Sequence, residues 1–210
     1  MADQMDNKFM QRAIEQARKG RFGAHPNPMV GAVIVRNGRV VGEGAHLHYG
    51  GPHAEINALK ACRGRARGAA LYVTLEPCSS YGKTPPCVEA VIKAGISSVF
   101  TGAADPNPAN RGKAAAFLRR AGLKVKTGVL KKDCEALNPA FNKFMRTGLP
   151  YVTLKIAQSL DGRIADAQGR SRWISSPEAR LEGHKLRAEA DAVLAGIGTV
   201  LADDPLLNVR

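Results

Sequence analysis

Met29-Val-Gly-Ala-Val-Ile-Val-Arg-Asn37-Gly38-Arg-Val-Val-Gly-Glu-Gly44 consists of two β-rich runs joined by a dipeptide in which both residues tolerate positive φ. It predicts an antiparallel hairpin with strands at 29–35 and 39–44. Upstream, Phe9, Ala13, Ile14 and Ala17 recur at helical spacing, with Asp6 and Asn7 as N-cap candidates and Gly20 as a stop. Downstream, the pattern predicts a helix at 54–62, a buried strand at 69–75 and a helix at 85–94 that Pro85 or Pro86 can begin without losing an intrahelical hydrogen bond. A buried strand at 96–101, a helix at 112–121, a short strand at 124–128 and a helix at 134–144 follow. A hairpin followed by alternating helices and strands is the pattern of an α/β sandwich whose later strands are parallel.

Met145-Arg-Thr-Gly-Leu-Pro150 reads as a loop, and beyond it the charge balance changes. The chain carries 31 Lys and Arg against 18 Asp and Glu, a net charge of +13. Residues 1–147 hold 23 basic and 10 acidic side chains, whereas 148–210 hold 8 of each. The domain boundary is therefore expected near residue 147, giving domains 1–147 and 148–210. The second is expected to run strand (151–157), helix (177–189), strand (192–194), and is too short to bury a comfortable core of its own. It reads as a domain cut short. The basic excess fits a polyanionic partner, a membrane surface or a phosphorylated substrate, or simply a well-solvated surface.

With 210 residues, 44% hydrophobic and 23% charged, the composition is that of a globular chain and not of a disordered or collagen-like one. No apolar run approaches the roughly 18–20 residues that cross a bilayer, and the N-terminus is too polar for a signal-peptide core. A cytoplasmic protein is expected. In that reducing setting four cysteines are read as metal ligands or free thiols before disulfides.

The sharpest local signal is His53-Ala54-Glu55 together with Pro77-Cys78 and, after eight intervening residues, Cys87. One imidazole and two thiolates suit zinc, whose catalytic sites keep three protein ligands and a position for water. His53 and Cys87 fall at predicted helix starts, where the helix dipole favours thiolate. Cys78 comes from the loop after a buried strand, where α/β sheets place their chemistry. Glu55, two residues from the histidine, is placed to shuttle protons without binding the metal. Zinc deaminases divide the roles in this way around an H-x-E…P-C-x-x-C signature; here the cysteine interval is eight, not two. Cys62 lies too far down the same helix as His53 to share an ion, at about 1.5 Å of rise per residue, and ordinary packing accounts for it and for Cys134.

Pro77-Cys78-Ser-Ser-Tyr-Gly-Lys-Thr-Pro-Pro-Cys87, with His25-Pro26-Asn27-Pro28-Met-Val-Gly31, Thr74-Leu-Glu-Pro77 and Asp105-Pro-Asn-Pro108, resembles the bifunctional riboflavin-biosynthesis deaminase/reductase family of bacteria. The resemblance continues through Met145–Pro150, Ser159-Leu-Asp-Gly162, Trp173-Ile-Ser-Ser176 and Gly198-Thr-Val-Leu-Ala-Asp-Asp-Pro205, so it covers essentially the whole chain. It implies a three-layer α/β/α cytidine-deaminase-like domain with a mixed sheet. The opening of an α/β dihydrofolate-reductase-like reductase domain follows. It implies zinc on His53, Cys78 and Cys87, proton transfer by Glu55, and substrate recognition by Asn27, His46, Lys83, Asp105 and Asn107. The reaction implied is removal of the 2-amino group from a phosphorylated diaminopyrimidine, then NADPH-dependent reduction of the ribosyl chain. Ala157, Trp173, Thr199 and Asp203 match NADPH-contacting positions of the family, and Ser171, Arg187, Leu207 and Arg210 positions that hold the reductase substrate. The family's later glycine-rich nucleotide-binding region does not occur in these 210 residues, so reductase activity is expected only of a longer chain. The implied partner is a small-molecule phosphorylated pyrimidine, with no nucleic acid and no membrane, and a homo-oligomer is compatible with the sequence.

One departure stands out. After Asp105-Pro-Asn-Pro108 the family has a loop with two glycines two residues apart, and here the stretch reads Ala-Asn-Arg-Gly112-Lys-Ala114. A loop short of one position able to take positive φ is expected. Two other functions share the ligands: a deaminase of nucleic acid, disfavoured by the eight-residue interval and by 5% aromatic content, and a structural zinc module, disfavoured by the lack of a fourth ligand at convincing spacing.

Overall fold

The computed structural model describes residues 2–81, 85–108 and 110–209. It divides into two compact units, 1–151 and 152–210.

In the first unit, helix α1 (Ala2–Arg18) precedes the hairpin β1 (Gly31–Arg36) and β2 (Arg39–Ala45). Then come α2 (Ala54–Ala61), β3 (Ala70–Leu75), α3 (Cys87–Lys93), β4 (Ser98–Ala103), α4 (Lys113–Arg120), β5 (Lys124–Thr127), α5 (Lys131–Ala136) and α6 (Pro139–Thr147). The five strands form one sheet in the order β2-β1-β3-β4-β5. The hairpin turns on Asn37 (φ 51°) and Gly38 (φ 72°), with Arg36 opposite Arg39. β1 is antiparallel to both β2 and β3, and β3, β4 and β5 are parallel.

Alternation along the strands sorts the core onto two faces. Ala32, Ile34, Leu71, Val73 and Val99 pack with Ala58, Val88, Val91 and Leu118 of α2, α3 and α4. Val33, Val35 and Tyr72 pack with Phe9, Met10, Ala13 and Ile14 of α1 and with Cys134 of α5. This is the expected three-layer α/β/α arrangement with a mixed sheet. Full burial of Ile34, Leu71 or Leu118 stabilises the fold by about 1.5–3 kcal/mol each. Gly44 lets α2 lie close on β2, since a Cβ there would stand 2.3 Å from Ala54 O and Ala58 N.

Three local expectations change. Asp6 and Asn7 do not cap α1, which runs through them; the Asp6 carboxylate instead accepts from Tyr72 Oη at 2.8 Å and Lys126 Nζ at 2.8 Å. The helix expected at 134–144 is two helices broken at Asn138-Pro139, because proline has no N–H to continue the ladder. The Asn138 side chain accepts from Met29 N at 2.7 Å and donates to Met29 O at 2.9 Å, so the break anchors the approach to β1. Third, the loop is not short of a positive-φ position: Ala114 lies in the first turn of α4, fully buried, within the helix expected at 112–121, and among the described residues of the stretch the positive φ is taken by Gly112 (78°). The missing second glycine removes nothing that this backbone uses.

The second unit holds α7 (Pro177–Ala188), capped by Ser176 Oγ accepting from Ala179 N at 3.2 Å, and α8 (Ile197–Asp203), which the sequence reading did not foresee. The strands expected at 151–157 and 192–194 are not formed. A strand exists only as part of a hydrogen-bonded pair, and among the described residues none pairs with these segments. Val152, Leu154 and Ile156 are exposed.

Candidate active site

The topology brings four loops to one end of the sheet. β3 and β4 are parallel, so the segments after Leu75 and after Ala103 leave on the same side. β1 runs against β3 and β2 against β1, so the segment before Gly31 and the one after Ala45 open there too. Those four segments carry Cys78, Asp105, Asn27 and His46.

His53 is the N-cap of α2, Cys87 the first residue of α3, and Cys78 lies three residues beyond β3. His53 Nδ1 lies 3.2 Å from Cys87 Sγ and 3.6 Å from Cys78 Sγ, and the three ligand atoms all fall within 4.8 Å of one another. Tetrahedral zinc with bonds of about 2.0–2.3 Å sets its ligand atoms roughly 3.5–3.8 Å apart, so this donor set fits the ion in identity and spacing. The Cys87 backbone N–H donates to Cys78 Sγ at 3.2 Å. Hydrogen bonds from Cys87 and His53 push the Cys78 thiol down to about 4. The Cys87 thiol is driven up by its bond with Cys78 and by burial.

Glu55, in the first turn of α2, is buried next to the cluster, and burial pushes its carboxyl above the ordinary range. His46 is buried too, its ring meeting that of His53 edge-on with centroids 5.4 Å apart. His46 Nδ1 donates to Pro52 O at 3.1 Å, which leaves Nε2 to accept from Asn27 Nδ2 at 3.0 Å. The Asn27 Oδ1 is thereby oriented as an acceptor. Asp105 is half-buried with its carboxyl raised by desolvation, and Asn107 N donates to Asp105 Oδ1 at 2.9 Å. Cys62 and Cys134 are buried in the two core clusters, apart from this site, and all four cysteines are free thiols.

Sequence reasoning missed Glu76. Buried at the end of β3, it accepts through Oε2 from Asp105 N at 3.2 Å and Gly112 N at 2.9 Å, and through Oε1 from Ala114 N at 3.1 Å. The available signal was an acidic residue closing an apolar strand directly before Pro77-Cys78. Lys83 and Arg210 lie outside the described residues.

Residues 3–103 match the family of the cytidine and deoxycytidylate deaminase zinc-binding region, a span that includes His53, Glu55, Cys78 and Cys87, and residues 150–210 match the RibD C-terminal domain. A riboflavin biosynthesis protein RibD of Bacillus amyloliquefaciens is 52% identical over 206 residues, covering 98% of this chain and 56% of its own length. Along almost its whole length the chain is similar to RibD. It spans little more than half the length of the RibD relatives it matches. An Acinetobacter baumannii RibD structure superposes with a TM-score of 0.94 at 48% identity, covering 99% of this chain and 58% of that one. A Thermotoga maritima diaminohydroxyphosphoribosylaminopyrimidine deaminase/5-amino-6-(5-phosphoribosylamino)uracil reductase superposes at 0.93 with 45% identity, covering 100% of this chain and 60% of that one.

The positions matched to the RibD reductase half are arranged more openly. Ala157 sits in an extended segment, Trp173 is exposed with the Arg180 guanidinium 4.2 Å from its ring centroid, and Thr199 and Asp203 share α8. No side-chain hydrogen bond or ion pair joins these four among the described residues. Ser171 is half-buried, Leu207 exposed, and Arg187 donates to Asn208 O at 3.0 Å. No described helix is long and apolar enough to cross a membrane.

Proposed function

We propose that residues 1–147 hydrolytically deaminate 2,5-diamino-6-ribosylamino-4(3H)-pyrimidinone 5′-phosphate to 5-amino-6-(5-phosphoribosylamino)uracil, in the cytoplasm. The observation that carries this reading is the buried Glu55 carboxyl beside the convergent His53, Cys78 and Cys87, in a chain 52% identical to a RibD. Those three residues would hold a zinc ion, which when bound would supply the Lewis acidity that makes water a nucleophile near neutral pH. Water adds to the ring carbon bearing the amine, the C–N bond breaks and ammonia leaves. Glu55 takes one proton of the attacking water on a carboxylate oxygen and passes it to the ring nitrogen, then takes the second from the hydroxyl of the adduct and passes it to the departing amine, so that the ring keeps a carbonyl oxygen and both water protons are placed. Asn27, held by His46, accepts from the ring edge. Asp105 and Asn107 contact polar groups of the nucleotide, and Lys83 meets an anionic one. The geometry keeps Glu55 out of bulk water, so the proton it holds stays within the site.

Residues 148–210 we read as the opening of an NADPH-dependent reductase domain. There Ala157, Trp173, Thr199 and Asp203 would face the cofactor, and Ser171, Arg187, Leu207 and Arg210 the phosphorylated substrate. A homo-oligomer is compatible with this reading.

Ammonia release from the free diaminopyrimidine nucleotide, alongside zinc content and the same assay on tRNA and single-stranded DNA, tests the deaminase reading. Turnover of the nucleotide by a chain holding one zinc is expected, with added RNA inhibiting only weakly. Efficient deamination of a nucleic acid with no turnover of the nucleotide would overturn it.

A further inference from the structure

Helix α4 begins without a cap of its own. Its N-cap is Gly112, which has no side chain, and its first turn holds no acidic residue. The free N–H groups of such a terminus need an acceptor, and the helix dipole favours an anion there. Glu76 supplies both from another element: its carboxylate accepts from Gly112 N at 2.9 Å and Ala114 N at 3.1 Å. The same carboxylate accepts from Asp105 N at 3.2 Å, at the other end of the loop. One buried group thus ties both ends of the segment between β4 and α4. Glu76 N itself donates to Ala103 O at 2.9 Å, so the carboxylate is anchored to the strand from which that segment leaves. It also stands two residues before Cys78, on the same short stretch as a metal ligand.

We propose that Glu76 is the positioning residue of the substrate loop: through three backbone hydrogen bonds it fixes where Asp105 and Asn107 stand relative to the metal cluster, and so sets nucleotide affinity. The inference rests on the deaminase reading for the roles of Asp105 and Asn107, while the loop geometry stands independently of it. Each bond to a charged acceptor is stronger than a neutral one, and a buried carboxylate with three donors has few other places to put its charge. A loop that binds the nucleotide equally in ground and transition states contributes uniform binding, so loosening it raises KM and leaves kcat nearly unchanged. A residue that merely held the domain together would act differently: its loss lowers the active fraction, and apparent kcat falls at constant KM.

The test uses the whole chain with Glu76→Gln, which keeps the shape but puts an amide N–H against backbone donors, and Glu76→Asp, which keeps the charge on a shorter stem. Three readouts are taken: zinc content, KM and kcat for the nucleotide, and hydrogen exchange at the amides of Asp105, Gly112 and Ala114. Expected for Glu76→Gln are full zinc, those three amides exchanging about tenfold faster or more, KM raised about tenfold or more and kcat within about threefold. Glu76→Asp should fall between wild type and Glu76→Gln on each scale. Unchanged exchange at the three amides overturns the clamp. Faster exchange with KM unchanged, or a fall in kcat alone, overturns its role in affinity. If Glu76→Gln does not fold, Glu76→Asp decides by the same readouts. A wild-type chain that fails to deaminate the nucleotide would sink the deaminase reading, and with it the role in affinity, whereas the exchange result would still judge the clamp.

Discussion

Glu55 and Cys87 stand in the first turns of α2 and α3, so two short helices deliver a carboxyl and a thiol to one point. Their roles separate experimentally. Glu55→Gln keeps the size and removes the titrating group, so the variant should retain zinc and lose about 10²–10⁴-fold in kcat, the usual contribution of a general acid/base. Cys87→Ala removes a ligand and should lose both metal and turnover. Metal analysis beside steady-state rates checks both, and a zinc-replete, active Cys87→Ala enzyme would break the ligand assignment. At this scale the ligand types were legible because zinc chemistry restricts them to a few residue types at helix starts and strand ends. Glu76 was not legible, since its partners are backbone N–H groups of residues 105, 112 and 114, which carry no side-chain signature.

Elements were legible where a local rule acts alone. Asn37-Gly38 fixed the hairpin because both residues take positive φ without strain, and the strand and helix alternation followed from burial on two faces. The ends of elements were less so. Asp6 has the chemistry of a cap, yet Tyr72 and Lys126 offered better partners once α1 lay on the sheet. The docking of α1 also gives a pH prediction. Arg12 of α1 pairs with Glu43 of β2, its Nη2 donating to Oε2 at 3.2 Å, and the bond with Arg12 holds the Glu43 carboxyl below its ordinary value of 4.5. A carboxyl depressed in the folded state adds stability above its unfolded pKa and loses it as the pH falls through the folded one. The pair is partly exposed, so Glu43→Gln should cost no more than about 1 kcal/mol at neutral pH. That deficit should shrink toward zero below about pH 4. Chemical denaturation of both proteins at pH 7 and pH 3.5 measures it, and an equal deficit at both would argue against the pairing.

Across the molecule, burial is concentrated in the first unit. Between residues 152 and 209 the only buried residue among those described is Gly183, whereas β1, β3 and β4 are buried almost throughout. Amides in those strands should exchange at the rate of global opening, and amides in 152–209 about a hundredfold faster or more. NADPH should leave that pattern unchanged, given how openly Ala157, Trp173, Thr199 and Asp203 are placed. Hydrogen exchange with and without the cofactor decides, and equal protection in both units would contradict the burial described here.

The α/β alternation, the hairpin, the His53, Cys78 and Cys87 donor set with its nearby carboxyl, and the likeness to RibD were all legible in the residues alone. Each depends on local spacing or on chemistry that few residue types can supply. The folded chain was needed to show that Asn27, His46, Cys78 and Asp105 meet at one end of the sheet, because that follows from strand order and direction. It alone decided that Glu76 caps α4 from a neighbouring strand, and that residues 151–157 and 192–194 form no ladder. Strand pairing and capping by a distant side chain are relations between segments far apart in the chain. A strand propensity becomes a strand only when another segment is there to accept its hydrogen bonds.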